Sequence, residues 1–106
     1  MEFLNFLASE TIDEDVREYQ KTPGALLIDV RLPEEYKEGH IPGSCNVPLP
    51  SIHEIGALAN DVGLPLFVYC RSGARSSRAV YALKAMGYIN VKNLGGLSAY
   101  TGALER

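Results

Sequence analysis

The sequence predicts a small three-layer α/β domain, with a mainly parallel sheet of about five strands and helices on both faces. Short apolar runs alternate along the chain with segments of helical periodicity, which is typical of βαβ units. The 106 residues fit one core, so a single domain over residues 1–106 is expected. The apolar fraction of 46% is enough to build that core without disulfides.

The first half of the chain alternates predicted helices with strands. A capping-box pattern at Thr11–Glu14 begins the first helix, and residues 25–30 (ALLIDV) form a buried strand. Pro33 begins a short helix that Gly39 ends, and residues 44–47 form a second, short strand. The residues expected to face inward from the first helix are Ile12, Val16 and Tyr19.

The second half repeats the alternation. Residues 51–54 resemble a second capping box and predict a helix, and residues 66–69 (LFVY) predict a central strand. A helix over about 76–86, a strand over 91–94 and a closing helix complete the chain. The inward-facing residues of these three helices are Ile52, Ile55 and Ala59, then Ala79, Leu83 and Met86, and finally Leu97, Tyr100 and Leu104.

Composition excludes several classes of function. The net charge is −3 and no run of Lys or Arg is present, which argues against nucleic acid as a partner. No apolar stretch approaches the roughly 20 residues that span a bilayer, and the acidic N-terminus lacks the basic start of a signal peptide. A cytoplasmic location without membrane contact is therefore expected. The two histidines are scattered, so no metal or cofactor is implied.

The strongest functional signal is the polar loop CRSGARS, residues 70–76. Cys70 follows the central strand and precedes a helix, whose first amides are a natural anion site. Gly73 lets the backbone curl, so that successive amides converge on the sulfur. Two arginines add positive charge, which favours a thiolate at neutral pH. The sequence thus predicts an exposed thiolate nucleophile at Cys70. The anion-binding loop comprises Arg71, Ser72, Gly73, Ala74, Arg75 and Ser76.

Five motifs occur in the order of a known family. The loop CRSGARS resembles the active-site loop of the rhodanese sulfurtransferases, and together with four other motifs the resemblance spans about residues 9–104. They are DVRLPEEY (29–36), GHIPG (39–43), NVP (46–48) and NLGGL (93–97). The chain resembles a single-domain rhodanese, which implies a rhodanese-like fold.

The resemblance implies a sulfurtransferase that uses no cofactor. Cys70 takes the family's nucleophile position, where it accepts sulfur from a small anionic donor such as thiosulfate and becomes a persulfide. A thiol, cyanide or a protein then accepts that sulfur. Arg71 and Arg75 are expected to hold the donor, while the loop amides stabilise the persulfide.

Several side chains near this site have a more ordinary interpretation. Asp29 ends its strand on the same side as Cys70 and could border the site, or it could bond loop amides. Arg31 is expected to pair with Glu34 or Glu35. Cys45 is interpreted as a small packed residue, with a resolving role toward Cys70 as the alternative.

Two other functions remain open at this stage. A cysteine in an anion-binding loop also occurs in tyrosine phosphatases and related arsenate reductases, but their signature places five residues between Cys and Arg. Four residues separate Cys70 from Arg75, so the ring is one member short. A non-catalytic rhodanese-like interaction module is the other alternative, although members of that kind usually lack the cysteine.

Overall fold

The computed structural model describes residues 11–106, which form helices and strands in alternation. Two of the helices are of the 3-10 type and span Leu49–Ala57 and Leu97–Ala99. The α-helices are α1 (Ile12–Lys21), α2 (Pro33–Glu38) and α3 (Ala74–Ala85). The strands are β1 (Leu26–Asp29), β2 (Ser44–Asn46), β3 (Leu66–Cys70) and β4 (Val91–Gly96).

The four strands of the described residues form one parallel sheet in the order β2-β1-β3-β4. The prediction of about five strands was therefore too high by one. Each apolar run of the described chain supplies a single strand, and the further bridge between His40 and Glu105 stands apart from the sheet. Because all four strands are parallel, their carboxyl ends meet at one edge, where α/β proteins place their ligands.

Helices cover both faces of the sheet, which confirms the three-layer α/β fold. Along β3 the side chains alternate, since successive residues of a strand point to opposite faces. Leu66, Val68 and Cys70 belong to a core shared with α3 and the 3-10 helix Leu49–Ala57. Phe67 and Tyr69 belong to a second core under α1. All five residues of β3 are buried, as expected for a central parallel strand.

Two predicted helix starts are confirmed in detail. The Thr11 side chain accepts from the amide of Glu14 at 3.2 Å, and the Glu14 carboxylate accepts from the amide of Thr11 at 2.8 Å. This is the predicted capping box. Pro33 begins α2, and the Glu35 carboxylate accepts from the amide of Leu32 at 2.9 Å. Glu35 thereby becomes fixed beside the carboxyl edge of the sheet.

Three details of the predicted helices were wrong. The closing helix is only the 3-10 turn Leu97–Ala99, because the backbone that follows bonds elsewhere: Thr101 donates its amide to Asp13, and Glu105 pairs with His40. Met86 is 41% exposed rather than inward-facing. Ser51 lies at a kink with non-helical φ and ψ within the 3-10 segment Leu49–Ala57, and its hydroxyl accepts no amide hydrogen bond from the described residues, so the predicted capping box is absent.

No helix within residues 11–106 has both the length and the apolar character that crossing a membrane requires.

The core under α3 can be tested with two leucines of very different exposure. Leu83 is fully buried, whereas Leu58 is 47% exposed. We expect Leu83→Ala to lower the free energy of unfolding by about 2–5 kcal/mol, because it leaves a cavity in the core. Leu58→Ala removes the same atoms from a half-solvated site and should cost less than about 1 kcal/mol. Urea unfolding measures both values, and equal losses would contradict the proposed packing.

Candidate active site

The candidate site lies where β1, β3 and β4 end together. Cys70 is the last residue of β3 rather than the first residue beyond it, as the sequence had suggested. Gly96, the last residue of β4, is its register partner. Arg31 follows β1 by two residues. Helix α3 begins at Ala74, two residues earlier than predicted, so its first turn lies directly beside Cys70.

The loop after Cys70 curls back so that an amide meets the sulfur. The N–H of Gly73 donates to Sγ of Cys70 over 2.9 Å. Gly73 has a φ of +106°, a conformation that residues with a side chain rarely adopt. The same residue is the N-cap of α3, so the positive end of the helix faces the sulfur.

Ser76 provides a second polar contact from the first turn of α3. Its Oγ lies 3.5 Å from Sγ and donates to the carbonyls of Gly73 at 3.0 Å and Gly95 at 3.4 Å. A hydroxyl carries one proton, which can rotate onto an ionised sulfur. Ser76 is fully buried, so water does not compete for its hydroxyl.

The balance of these contacts favours the thiolate. Burial by itself raises the pKa of the Cys70 thiol, because it removes the charged form from water. Hydrogen bonds from the Ser76 hydroxyl and from the amides of Ser76, Gly73 and Ser72 act in the opposite direction and outweigh burial. The pKa of Cys70 consequently lies below its ordinary value.

The prediction that the sulfur is exposed was wrong. Cys70 is only 1% exposed and belongs to the core shared with α3. The physical reason is that Cys70 ends a central strand, with its side chain under the first turn of α3. Arg71 and Ser72, by contrast, are exposed. A reagent must therefore pass the loop to reach the sulfur, and the atom that reacts must protrude from the rest of the reagent.

Arg75 is engaged by a carboxylate 40 residues earlier in the chain. Its two terminal nitrogens donate to the two oxygens of Glu35 at 2.6 and 3.0 Å. This hydrogen bonding, together with the Arg75 charge, lowers the pKa of Glu35 to about 2. The pair joins α2 to α3 across the carboxyl edge of the sheet. The predicted donor-binding role of Arg75 stays a prediction, and the carboxylate of Glu35 works against it.

Asp29 and Arg31 form a buried ion pair with each other. Nε and Nη2 of Arg31 donate to the Asp29 carboxylate at 2.7–3.0 Å, and Nη2 also donates to the carbonyl of Gly39 at 2.7 Å. The expected pairing of Arg31 with Glu34 or Glu35 was therefore wrong. The expected bonding of Asp29 to a loop amide is confirmed, since its carboxylate accepts from the amide of Arg31 at 2.9 Å. Asp29 is fully buried, whereas Arg31 lines a cleft at the sheet edge. The role of Asp29 as a site border stays a prediction.

Gly96 helps to shape the site by leaving room for the loop, a role that the sequence did not reveal. A Cβ added there would lie 2.5 Å from the carbonyl oxygen of Arg71 and 2.7 Å from Cα of Ser72. Only glycine leaves room for the loop to pass this closely over β4. The motif NLGGL supplied the residue, but nothing in the sequence placed it against a loop 24 positions earlier.

Cys45 does not lie close enough to Cys70 to act as its resolving partner. In the sheet register, Cys45 of β2 lies opposite Ile28 of β1. On the other side of β1, Ile28 lies opposite Val68 of β3. Cys45 and β3 are thus separated by two strand spacings, about 10 Å. Disulfides need Cα atoms within about 7 Å. The interpretation of Cys45 as a packed residue agrees with its partial burial beside the core.

Residues 13–103 match the family described as the rhodanese-like domain, and the chain belongs to that family. Over 71 residues it is 42% identical to the thiosulfate sulfurtransferase PspE of Escherichia coli, covering 66% of this chain and 68% of the relative. It is 36% identical over 84 residues to the uncharacterized protein YqhL of Bacillus subtilis, covering 76% of this chain and 64% of that one.

A solved structure gives the same result for the fold. A rhodanese with anions from E. coli superposes with a TM-score of 0.73 at 36% identity, covering 77% of this chain and 98% of the other. The family resemblance predicted from the five motifs is thereby confirmed. The general class of activity among such relatives is sulfur transfer.

The close approach of the loop to Gly96 provides a test of the hydrogen bond from the Gly73 amide to Sγ of Cys70. We expect Gly96→Ala to push residues 71 and 72 away from β4, so that the Gly73 amide no longer aims at Sγ. The pKa of Cys70 should then rise, since the loop hydrogen bonds that lower it weaken. The rate of iodoacetamide alkylation against pH reports this pKa.

Gly56→Ala is the matched control for this substitution. Gly56 has no neighbouring atom within 4 Å of an added Cβ, so the alkylation profile should match that of the unmodified protein. An unchanged profile in Gly96→Ala, in a protein that unfolds at the usual urea concentration, would contradict the loop geometry.

The Glu35–Arg75 pair predicts a specific loss of stability in acid. A pKa of about 2 in the folded protein, against 4.5 ordinarily, means that Glu35 contributes stability above pH 4.5 and loses it as the pH falls toward 2. Glu35→Gln should therefore be less stable than the unmodified protein at pH 7, with the difference shrinking below pH 4.5. Urea unfolding at pH 7, 4 and 3 measures this.

Glu34→Gln serves as the control for charge alone. Glu34 is the exposed neighbour of Glu35 and forms no ion pair with another described residue. Its variant should show no comparable dependence on pH. Parallel behaviour of the two variants would show that the pair contributes no specific stability.

Proposed function

We propose that this chain moves a sulfane sulfur from an anionic donor to a thiophilic acceptor through a persulfide on Cys70. The observation that carries the proposal is the 2.9 Å hydrogen bond from the Gly73 amide to Sγ of Cys70. A sulfur held ionised in this way is the nucleophile that the reaction needs. Membership of the rhodanese-like family and the similarity to a thiosulfate sulfurtransferase support the proposal.

The first half of the reaction needs no proton. The Cys70 thiolate attacks the outer sulfur of thiosulfate, a new S–S bond forms, and the original S–S bond breaks with its electron pair leaving on sulfite. This agrees with the composition of the loop, in which no His, Asp or Glu is present to act as a general acid. The outer sulfur is a single exposed atom, which suits a nucleophile that is itself 1% exposed.

The second half returns the site to its starting state. A thiolate or cyanide attacks the outer sulfur of the persulfide, and the electron pair of the breaking S–S bond returns to Sγ. We expect the amides of residues 71–76 to stabilise the persulfide between the two halves. Arg71 supplies the accessible positive charge of the loop, because Arg75 is already paired with Glu35.

The cytoplasmic location stays a prediction.

Phosphatase chemistry has less support from the same geometry. The guanidinium that a phosphoryl group would need is bound through both terminal nitrogens to Glu35. The persulfide reaction uses the sulfur and the loop amides, and it does not require that guanidinium to be free. Hydrolysis of p-nitrophenyl phosphate that disappears in Cys70→Ser would nevertheless establish a phosphatase.

The proposal predicts a change in mass. After incubation with thiosulfate, the intact protein should be heavier by one sulfur atom, and cyanide or dithiothreitol should reverse the gain. Cys70→Ala should show no gain, because it lacks the nucleophile. Cys45→Ala is the matched control and should gain the sulfur normally, since Cys45 lies two strands away. A gain in Cys70→Ala, or no gain in the unmodified protein with any sulfur donor, would overturn the proposal.

A further inference from the structure

Acidic and basic residues are separated along the chain. Residues 62–104 contain no Asp or Glu, whereas all 13 acidic residues of the chain lie outside them. The same segment holds half of the 10 basic residues, which are Arg71, Arg75, Arg78, Lys84 and Lys92. A chain with a net charge of −3 thus contains one segment whose charged residues are all basic.

Two of these basic side chains are neutralised by acids of the described chain. Arg75 is bound by Glu35, and Lys92 contacts carboxylates of α1 at 3.0 Å. Arg78 and Lys84 of α3 form no ion pair with any residue in 11–106, and both are exposed. Their charge is therefore open to a partner in solution.

Arg78 and Lys84 flank an exposed tyrosine on α3. Tyr81 lies three positions from each of them, and residues three apart are neighbours on a helix surface. Its side chain is 79% exposed, and its hydroxyl has no hydrogen-bond partner within residues 11–106. Tyr and Arg are residue types that protein interfaces favour. We call these three residues the Arg78–Tyr81–Lys84 face.

The elements that pack most extensively against α3 contain a single acidic residue. They are β3, β4 and the 3-10 helix Leu49–Ala57, and the residue is Glu54. Its carboxylate lies 3.8 Å from Nε2 of His53. From α2, Glu35 reaches α3 but is bound to Arg75. Neither acid pairs with the face, which therefore keeps its positive charge although the chain is acidic.

The location and length of the face indicate what it can bind. Helix α3 begins beside Cys70, with Gly73 as its N-cap, so the face leads away from the loop. From Ala74 to Lys84 the helix rises about 15 Å, which is longer than thiosulfate or a similarly small donor. Proteins that bind nucleic acid neutralise several phosphates and need more than two free cations for it. An acidic surface of another protein matches the face in charge, in length and in its exposed aromatic ring.

We propose that the Arg78–Tyr81–Lys84 face docks an acidic protein segment that carries a reactive thiol to Cys70. The proposal rests on the sulfur transfer proposed above and assigns it a class of partner. The docked thiolate attacks the outer sulfur of the Cys70 persulfide, so that a new S–S bond forms on the partner and the electron pair of the broken bond returns to Sγ. The face takes no part in this chemistry and holds the acidic segment beside the loop while the transfer occurs.

The test uses two acceptor peptides that differ only in charge. The thiosulfate-loaded protein is discharged by acetyl-CGSEELEEL-amide or by acetyl-CGSQQLQQL-amide, and the ratio of their kcat/KM values is measured. We expect the acidic peptide to be favoured about tenfold in dilute buffer, and the preference to fall toward one in about 0.5 M NaCl. Arg78→Gln combined with Lys84→Gln should lower the ratio about fivefold, because both countercharges are removed.

Arg17→Gln combined with Lys21→Gln is the matched control. It removes the same two charges from exposed positions of α1, which covers the opposite face of the sheet, and it should leave the ratio unchanged. An equal fall in both double variants would overturn the proposal, since it would report net charge alone. An unchanged ratio in the α3 double variant would overturn it as well.

Binding is tested separately with the unloaded protein and acetyl-SGSEELEEL-amide, which has no thiol. Saturable backbone amide shifts at residues 77–85 that vanish in the α3 double variant support the face. Their absence, or a stronger response to single-stranded DNA, would overturn the assignment to an acidic protein. So would a salt-sensitive dimer that is lost in the double variant, because a second copy would then occupy the face. Failure to form a persulfide would instead refute the proposed function and leave this binding result intact.

Discussion

The hydrogen bond from the Gly73 amide to Sγ of Cys70 is the interaction on which the site depends. A sulfur that ends a buried central strand would resist ionisation, because burial disfavours charge. The loop and the first turn of α3 reverse this preference by bringing the Ser76 hydroxyl and the amides of Ser76, Gly73 and Ser72 within bonding distance of the sulfur. That approach needs a φ of +106° at Gly73 and the absence of a side chain at Gly96. Two glycines 23 positions apart thus allow the loop amides to approach the sulfur.

The parallel sheet places the remaining charged groups around this contact. Every strand of the described sheet runs in the same direction, so residues that follow β1, β3 and β4 meet at one edge. The two acidic groups near that edge are each occupied by an arginine: Asp29 by Arg31, and Glu35 by Arg75. Negative charge beside the sulfur is thereby neutralised, and the charge of Arg71 stays available. The edge can therefore accept anions even though the whole chain is acidic.

Local patterns in the sequence were sufficient for much of the fold. The apolar run LFVY around Phe67 and the capping box at Thr11 depend on neighbours within a few positions, and both predictions were confirmed. The position of Cys70 before a helix also followed from the order of residues. The wrong predictions concern partners distant along the chain. Glu35 is 40 positions from Arg75, and the exposure of Cys70 depends on how α3 packs over the strand end. The predicted closing helix does not extend beyond Ala99, because Glu105 pairs with His40 instead.

The separation of the two cysteines has a consequence for oxidative damage. A peroxide that converts the Cys70 thiolate to a sulfenic acid would ordinarily be countered by a nearby thiol, which traps that species as a disulfide before further oxidation. Cys45 is held about two strand spacings away by the register of β2, β1 and β3. Rescue of an oxidised Cys70 consequently depends on thiols from outside the chain. The abundance of those thiols would then set the lifetime of the protein under peroxide stress.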